Sequence, residues 1–280
     1  MSLPTGTRLG RIELRVSDLT RSVSFYRDQL GLVEYAHTSD RCELGPHGGR
    51  PLISLLAVPR TSPRPAGVVG LYHFALLLPS RKDLGVTLLH LFQARHPFQG
   101  FSDHAVSEAA YLADPDGNGI ELYADRPRDN WQRKNGQIVM TTLALNVNSL
   151  LRTAEGEVWQ GMATGTQVGH VHLHVADLAR TGAFYRDVIG FDVTTDTYPG
   201  ALFLSAGGYH HHVGLNTWLR PENAGARNVA NMLSWELLVP AAEARMEVVD
   251  RALRAGHQVH EEADQTTIVD PDGMSLILTS

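Results

Sequence analysis

The chain has 280 residues, 43% hydrophobic and only 19% charged, a balance that describes packed globular domains and argues against disorder. A net charge of −6 with no Lys/Arg cluster excludes nucleic acid and anionic membrane as partners. The single cysteine, Cys42, rules out an internal disulfide framework, and without a charged-then-apolar leader or a long apolar span the expected address is the cytoplasm.

From the N-terminus, the alternation of Ile12, Leu14 and Val16 predicts a strand and Asp18 a helix cap. Leu19, Val23, Tyr26 and Leu30 then recur at helical spacing up to Gly31, which suits a left-handed helix end. A short strand is expected at 51–58. A second unit opens with an apolar strand at 71–78, runs through a helix at 81–94 and closes on the turn Asp114-Pro115-Asp116-Gly117 before a last strand. Residues 127–166 read as a polar connector, with Gly161 and Gly165 near its end, marking a domain boundary. Beyond it Val171, Leu173 and Val175 predict a strand, Asp177 a cap, and Gly190 a helix end, with short strands at 200–205 and 210–216. The chain finishes with a strand at 232–239, a helix at 241–255 and the turn Asp270-Pro271-Asp272-Gly273. Four modules result, at about 9–60, 70–126, 168–219 and 231–280, grouped as domains 8–126 and 167–280.

The modules repeat, and the repeats differ where chemistry is expected. LGRIELRVSDLTRSVSFYRDQLGL (9–32) returns as VGHVHLHVADLARTGAFYRDVIGF (168–191), pairing Arg11 with His170. DPDGNGIEL (114–122) echoes DPDGMSLIL (270–278), setting Glu121 against Ile277, and LYHFALLLP (71–79) aligns with MLSWELLVP (232–240), setting His73 against Ser234. Shared residues account for shared fold. His73, Glu121 and His170 are what one copy has and its partner lacks.

The βαβββ-like units, the FYRD segment and the closing DPDGNGIE strand resemble the vicinal oxygen chelate superfamily, which includes glyoxalases, bleomycin-resistance proteins and extradiol dioxygenases. Within it YLADPDGNGIELY (111–123), GLYHFALLLP and ALFLSAGGYHHHVGLN look most like the bacterial catechol 2,3-dioxygenase group. The resemblance implies an α+β fold of four βαβββ modules in two tandem domains, with mixed sheets curled into open barrels. It also implies Fe(II), with Mn(II) as the other candidate, held by His73, Glu121 and His170. Two imidazoles and one carboxylate on one face leave positions open for a small aromatic diol and O2. Because His73 and Glu121 lie in module two and His170 in module three, the metal cup is expected between those modules. Better-known extradiol enzymes draw all three ligands from the C-terminal domain, so this chain departs from their pattern. A homo-oligomer is compatible with all of this.

By the same resemblance His211 is the acid/base histidine, Tyr111 the cavity tyrosine and His104 a pocket histidine. Strand alternation sends His170, His172 and His174 to one face, giving His172 a substrate contact and leaving His174 a structural hydrogen bond as its other reading. Alternation also predicts that Tyr209 and His211 share one side and His210 and His212 the other. Two rivals remain: a glyoxalase-type lyase or isomerase, which needs a fourth protein ligand near 213–216 where the chain reads Val213, Gly214, Leu215 and Asn216, and a metal-free binding protein of the bleomycin-resistance type.

Overall fold

The computed structural model describes residues 2–65, 67–218, 228–262 and 265–280. Module one is β1 (Arg8–Val16), α1 (Leu19–Ser24), β2 (Val33–His37), β3 (Arg41–Gly45) and β4 (Ile53–Ala57). Module two is β5 (Gly70–Leu77), α2 (Arg81–Gln93), β6 (Gly100–Asp103), β7 (Ser107–Ala113) and β8 (Gly119–Asp125). The connector holds three two-residue strands, β9 (Arg133–Lys134), β10 (Gln137–Ile138) and β11 (Leu143–Ala144), and the helix α3 (Val147–Leu151). Module three is β12 (Gln167–His174), α4 (Leu178–Ala183), β13 (Asp192–Thr195), β14 (Ala201–Ser205) and β15 (Val213–Asn216). Module four is β16 (Asn231–Leu238), α5 (Ala242–Arg254), β17 (Val259–Glu262), β18 (Gln265–Val269) and β19 (Ser275–Thr279). This is the α+β, four-module architecture expected, and no helix among the described residues is long and apolar enough to cross a membrane.

Each mixed sheet joins modules from different halves of the chain. A nine-stranded sheet runs β11-β6-β7-β8-β5-β12-β15-β14-β13, and an eight-stranded sheet runs β17-β18-β19-β16-β1-β4-β3-β2. At the centre of the first, β5 of module two pairs antiparallel with β12 of module three, and in the second β1 pairs antiparallel with β16.

The repeated motifs explain one another. Asp18 and Asp177 cap α1 and α4, their carboxylates accepting the N–H groups of Arg21 (3.0 Å) and of Ala179 and Arg180 (2.9 and 3.0 Å). Both helices run on into a wider π-type turn, Phe25–Gln29 and Phe184–Ile189, which buries the FYRD tyrosine. Tyr26 then donates to Asp114 at 3.0 Å and Tyr185 to Asp270 at 2.9 Å, so each FYRD is bolted to the DPDG of the following module. Gly31 follows the first turn at φ +68, where a Cβ would lie 2.5 Å from Gly161 Cα; glycine serves both the left-handed backbone and the close approach.

Tyr185→Phe is expected to cost about 1–3 kcal/mol, because it leaves a buried carboxyl oxygen without its donor. Urea unfolding measures it, and a loss under about 0.5 kcal/mol would show that the Tyr–Asp bolt is dispensable.

Candidate metal centre and cavity

Three adjacent strands set the geometry. On β12 His170 lies opposite Ala75 of β5, and on the other side of β5 Ala75 lies beside Glu121 of β8. With strands about 4.8 Å apart, the His170 and Glu121 backbones are separated by the width of a strand whose side chain at that row is only a methyl. The two long side chains meet over Ala75. His73, two residues before Ala75, emerges on the same face. Glu121 Oε2 ends 3.0 Å from His73 Nε2 and 3.1 Å from His170 Nε2, with all three side chains buried.

Donors sharing an octahedral metal at bond lengths of about 2.1 Å lie about 3.0 Å apart when cis to one another, as the two His–Glu separations do. His73 Nε2 is moreover orphaned: buried, with no hydrogen-bond partner among the described residues despite its nearness to Glu121. Burial alone would raise the Glu121 carboxyl, but the His170 and His73 imidazoles outweigh it and hold the group well below the usual range. Burial pushes His170 down to about 4 in spite of that carboxylate. At neutral pH the group is therefore a buried anion facing a neutral imidazole, and burying such a charge is costly unless a cation meets it. The donor set fits a divalent transition metal.

Above the triad lies a cavity of about 340 Å³. His172 lines it, and its Nε2 is buried without a partner among the described residues. His174, on the same face, is instead bonded through Nδ1 to Asn216 Oδ1 at 2.6 Å. Tyr111, opposite Glu121 on β7, has its hydroxyl 2.6 Å from His104 Nε2. His104 Nδ1 lies 2.6 Å from the Thr141 carbonyl, which only accepts, so His104 takes the Tyr111 O–H at its other nitrogen. Burial, and then the charge of Glu121, keep the Tyr111 phenol protonated. His211 completes the wall, its ring 4.1 Å from that of His170.

The Tyr209–His212 alternation predicted from a strand does not occur. Gly207 and Gly208, at φ +61 and +69, reverse the chain after β14, and β15 begins only at Val213. In this loop His210 and His211 bond to each other at 2.8 Å, while the rings of Tyr209 and His212 pack together at 5.0 Å. His212 Nδ1 accepts the Ala206 N–H at 3.1 Å and is structural.

Two contributions escaped sequence reasoning. Between β5 and β12 the register skips Tyr72, a bulge that turns Tyr72 and His73 toward the same cavity. With Trp218, Phe203 and Tyr198, Tyr72 gives the cavity its aromatic wall. The connector, read only as a boundary, supplies Met140, Thr141 and Thr142. A strand reading cannot see a bulge, although a Tyr-His pair at a strand start was a signal available.

In the eight-stranded sheet Ser234 and Ile277 offer no ligand, and the remaining repeat counterpart is spent on ion pairs. Arg11, in the place of His170, meets Glu43 and lies 3.2 Å from Glu236, while Arg41 meets Glu13. A further cluster of donors, Glu34, His37 and Cys42, is poorly suited to a metal: Glu34 already pairs with His37 at 2.7 Å and Arg27 at 3.2 Å, and burial raises the Cys42 thiol to about 11.

Comparison with known proteins agrees with this architecture. Residues 8–122 and 167–274 match the model of the Glyoxalase/Bleomycin resistance protein/Dioxygenase superfamily. The chain belongs to this superfamily. A curated superfamily relative, catechol-2,3-dioxygenase of Bacillus subtilis (strain 168), is 42% identical over 275 residues, covering 96% of each chain. Among solved structures, a putative dioxygenase from Bacillus subtilis subsp. subtilis str. 168 superposes with a TM-score of 0.64 at 12% identity, over 100% of this chain and 86% of that one. Glyoxalase I from Zea mays gives 0.57 at 15% identity, over 98% and 92%. At such identities the two structures share only the fold with this superfamily member.

Proposed function

We propose that the protein is an extradiol ring-cleavage dioxygenase, taking a catechol-type diol and O2 and using Fe(II) held by His73, Glu121 and His170 in a cup between modules two and three. The observation that carries this reading is the convergence of those three donors, 3.0 and 3.1 Å apart, beneath an aromatic-walled cavity that also exposes His211. The identity of the 42% relative, named catechol-2,3-dioxygenase, supports it. When bound, Fe(II) supplies the template and the electron path between diol and oxygen.

The remaining roles fall to the chain's own side chains. Burial and the neighbouring His170 hold the His211 ring well below the usual histidine range, so it is a neutral proton acceptor at physiological pH. It takes the proton of a substrate hydroxyl, breaking that O–H and forming an N–H, and returns the proton as the ring opens. Tyr111, whose own O–H is committed to His104, offers its oxygen lone pairs to a second substrate hydroxyl. His172 contacts the substrate edge, and Tyr72, Phe203 and Trp218 hold the ring in place. The free, buried Cys42 accords with a cytoplasmic address.

Anaerobic reconstitution with Fe(II), and with Mn(II) in parallel, followed by oxygen uptake against a panel of catechols tests the reading. The expected result is stoichiometric uptake and a yellow semialdehyde. Turnover of a glyoxalase-type substrate with Ni or Zn and no oxygen uptake would overturn it; for that rival, no fourth ligand joins the triad among the described residues. His211→Ala is expected to lower kcat by about 10²–10⁴-fold with iron content unchanged, and full turnover in that variant would remove the acid/base assignment.

A further inference from the structure

The loop that carries His211 is wired to an acidic residue at the end of β8. Alternation along β8 puts Asp125 on the face of Glu121 and Tyr123, and its Oδ1 lies 2.9 Å from His210 Nε2 and 3.3 Å from the Tyr209 hydroxyl. Tyr209 Oη is in turn 2.8 Å from Tyr123 Oη. The Asp125 side chain is 24% exposed while that of His210 is sealed at 1%, so the carboxylate sits at the solvent edge with the imidazole on its inner side. Trp131 of the connector closes over His210, ring centroids 5.3 Å apart. The far nitrogen of His210, Nδ1, is 2.8 Å from His211 Nδ1.

Donor and acceptor logic gives this chain one direction when both rings are neutral. A carboxylate only accepts, so the His210 proton is on Nε2. Its Nδ1 is then a lone pair, and the 2.8 Å contact between the two Nδ1 atoms needs a proton that only His211 Nδ1 can supply. His211 is left with a bare Nε2, and His211 is the ring that faces the cavity. An imidazole without such a partner prefers its proton on Nε2, which would present a donor where a base is needed.

We propose that Asp125 and His210 are positioning residues that fix His211 in its Nδ1–H tautomer, turning the Nε2 lone pair toward the substrate hydroxyl. This rests on the reading of His211 as proton acceptor, but the tautomer itself is observable without turnover. The effect is carried by two hydrogen bonds whose outer end is 85 residues away in sequence from His210.

The test is a long-range ¹H–¹⁵N correlation spectrum of the metal-free protein, labelled at histidine and held at neutral pH, with His210 and His211 signals assigned from the His210→Leu and His211→Ala variants. The expected result is Nδ1–H on His211 and Nε2–H on His210. Asp125→Leu is expected to move the His211 proton to Nε2, wholly or in part, and to lower kcat roughly tenfold or more with KM and iron content little changed. Asp125→Asn, which keeps an oxygen acceptor, is expected to retain the tautomer and most of kcat. If Asp125→Leu does not fold, His210→Leu removes the same acceptor from His211 and is expected to release the same tautomer. An Nε2–H signal for His211 in the parent protein, or an unchanged His211 tautomer in Asp125→Leu or His210→Leu, overturns the proposal. The expected tautomers in a protein that consumes no oxygen with any catechol would leave the wiring intact and refute the dioxygenase reading instead.

Discussion

Glu121→Gln is expected to abolish metal uptake while leaving the metal-free protein folded and only modestly less stable than the parent. The substitution keeps shape and one acceptor oxygen but removes the only negative charge among the three converging donors. In the metal-free parent that charge is buried, but the His170 and His73 imidazoles outweigh the burial and hold it ionised, so its loss lowers the stability of the metal-free protein modestly. Bound metal adds stabilisation of its own, on the order of 4 kcal/mol when the free ion is about a thousandfold above its Kd. In a chain of this size that corresponds to a rise in Tm of roughly 10 °C. The parent should show this rise on anaerobic addition of Fe(II), whereas Glu121→Gln should show none, bind no iron by elemental analysis and cleave no ring. One equivalent of iron retained by the variant, or a metal-free variant destabilised by about 3 kcal/mol or more, would mean that Glu121 is a structural residue and the metal reading is wrong.

The sequence made the framework legible because its signals are local. Asp18 and Asp177 cap helices that start one residue later, and the two DPDG turns form where Asp and Pro set them. His73, Glu121 and His170 stood out because duplication supplies a reference at each position, and the fold brings their donor atoms together. What sequence left hidden is non-local or depends on broken periodicity. The bulge at Tyr72, the paired glycines before Tyr209 and the connector strand β11 against β6 each interrupt a regular pattern. Asp125 and His210 belong to different modules, and only the pairing of β5 with β12 brings them within bonding distance.

Duplication also shows how one cup was freed for chemistry. The row that holds His170, Ala75 and Glu121 in one sheet has Arg11, Glu236 and Ile277 in the other, since β1 faces β16 and Glu236 lies beside Ile277. Glu236 accepts the Arg11 N–H at 2.9 Å and pairs with its guanidinium, so long charged side chains fill the space that Ala75 leaves open. A single alanine over the strand separates a cavity floor from a plugged one.

The metal-free protein is expected to unfold cooperatively between about pH 6 and 4. Burial pushes His170 down to about 4 and His212 to about 3, and it holds His172 and His211 well below the ordinary range, with neighbouring imidazoles adding to the effect in all four. In the unfolded chain each ring titrates near 6.5, so below that pH the unfolded state takes up protons that the native state refuses. The stability these rings contribute is complete above about pH 6.5 and falls as the pH drops. Each ring costs about 1.4 kcal/mol per pH unit, so His170 and His212 alone remove about 7 kcal/mol by pH 4. Asp270 works in the opposite sense: burial raises its carboxyl to about 6, so protonation in the native state returns about 3 kcal/mol over the same interval. His172 and His211 act in the same sense as His170 and His212, and against total stabilities of about 5–15 kcal/mol such losses bring unfolding within two or three pH units. Acid titration followed by tryptophan fluorescence and far-ultraviolet circular dichroism measures the midpoint. Iron bound as proposed would compete with protons for its ligands, so the loaded protein should hold to lower pH and release its metal as it unfolds. A metal-free midpoint below about pH 3.5 would mean that the histidine-lined core admits water and charge far more readily than its burial implies.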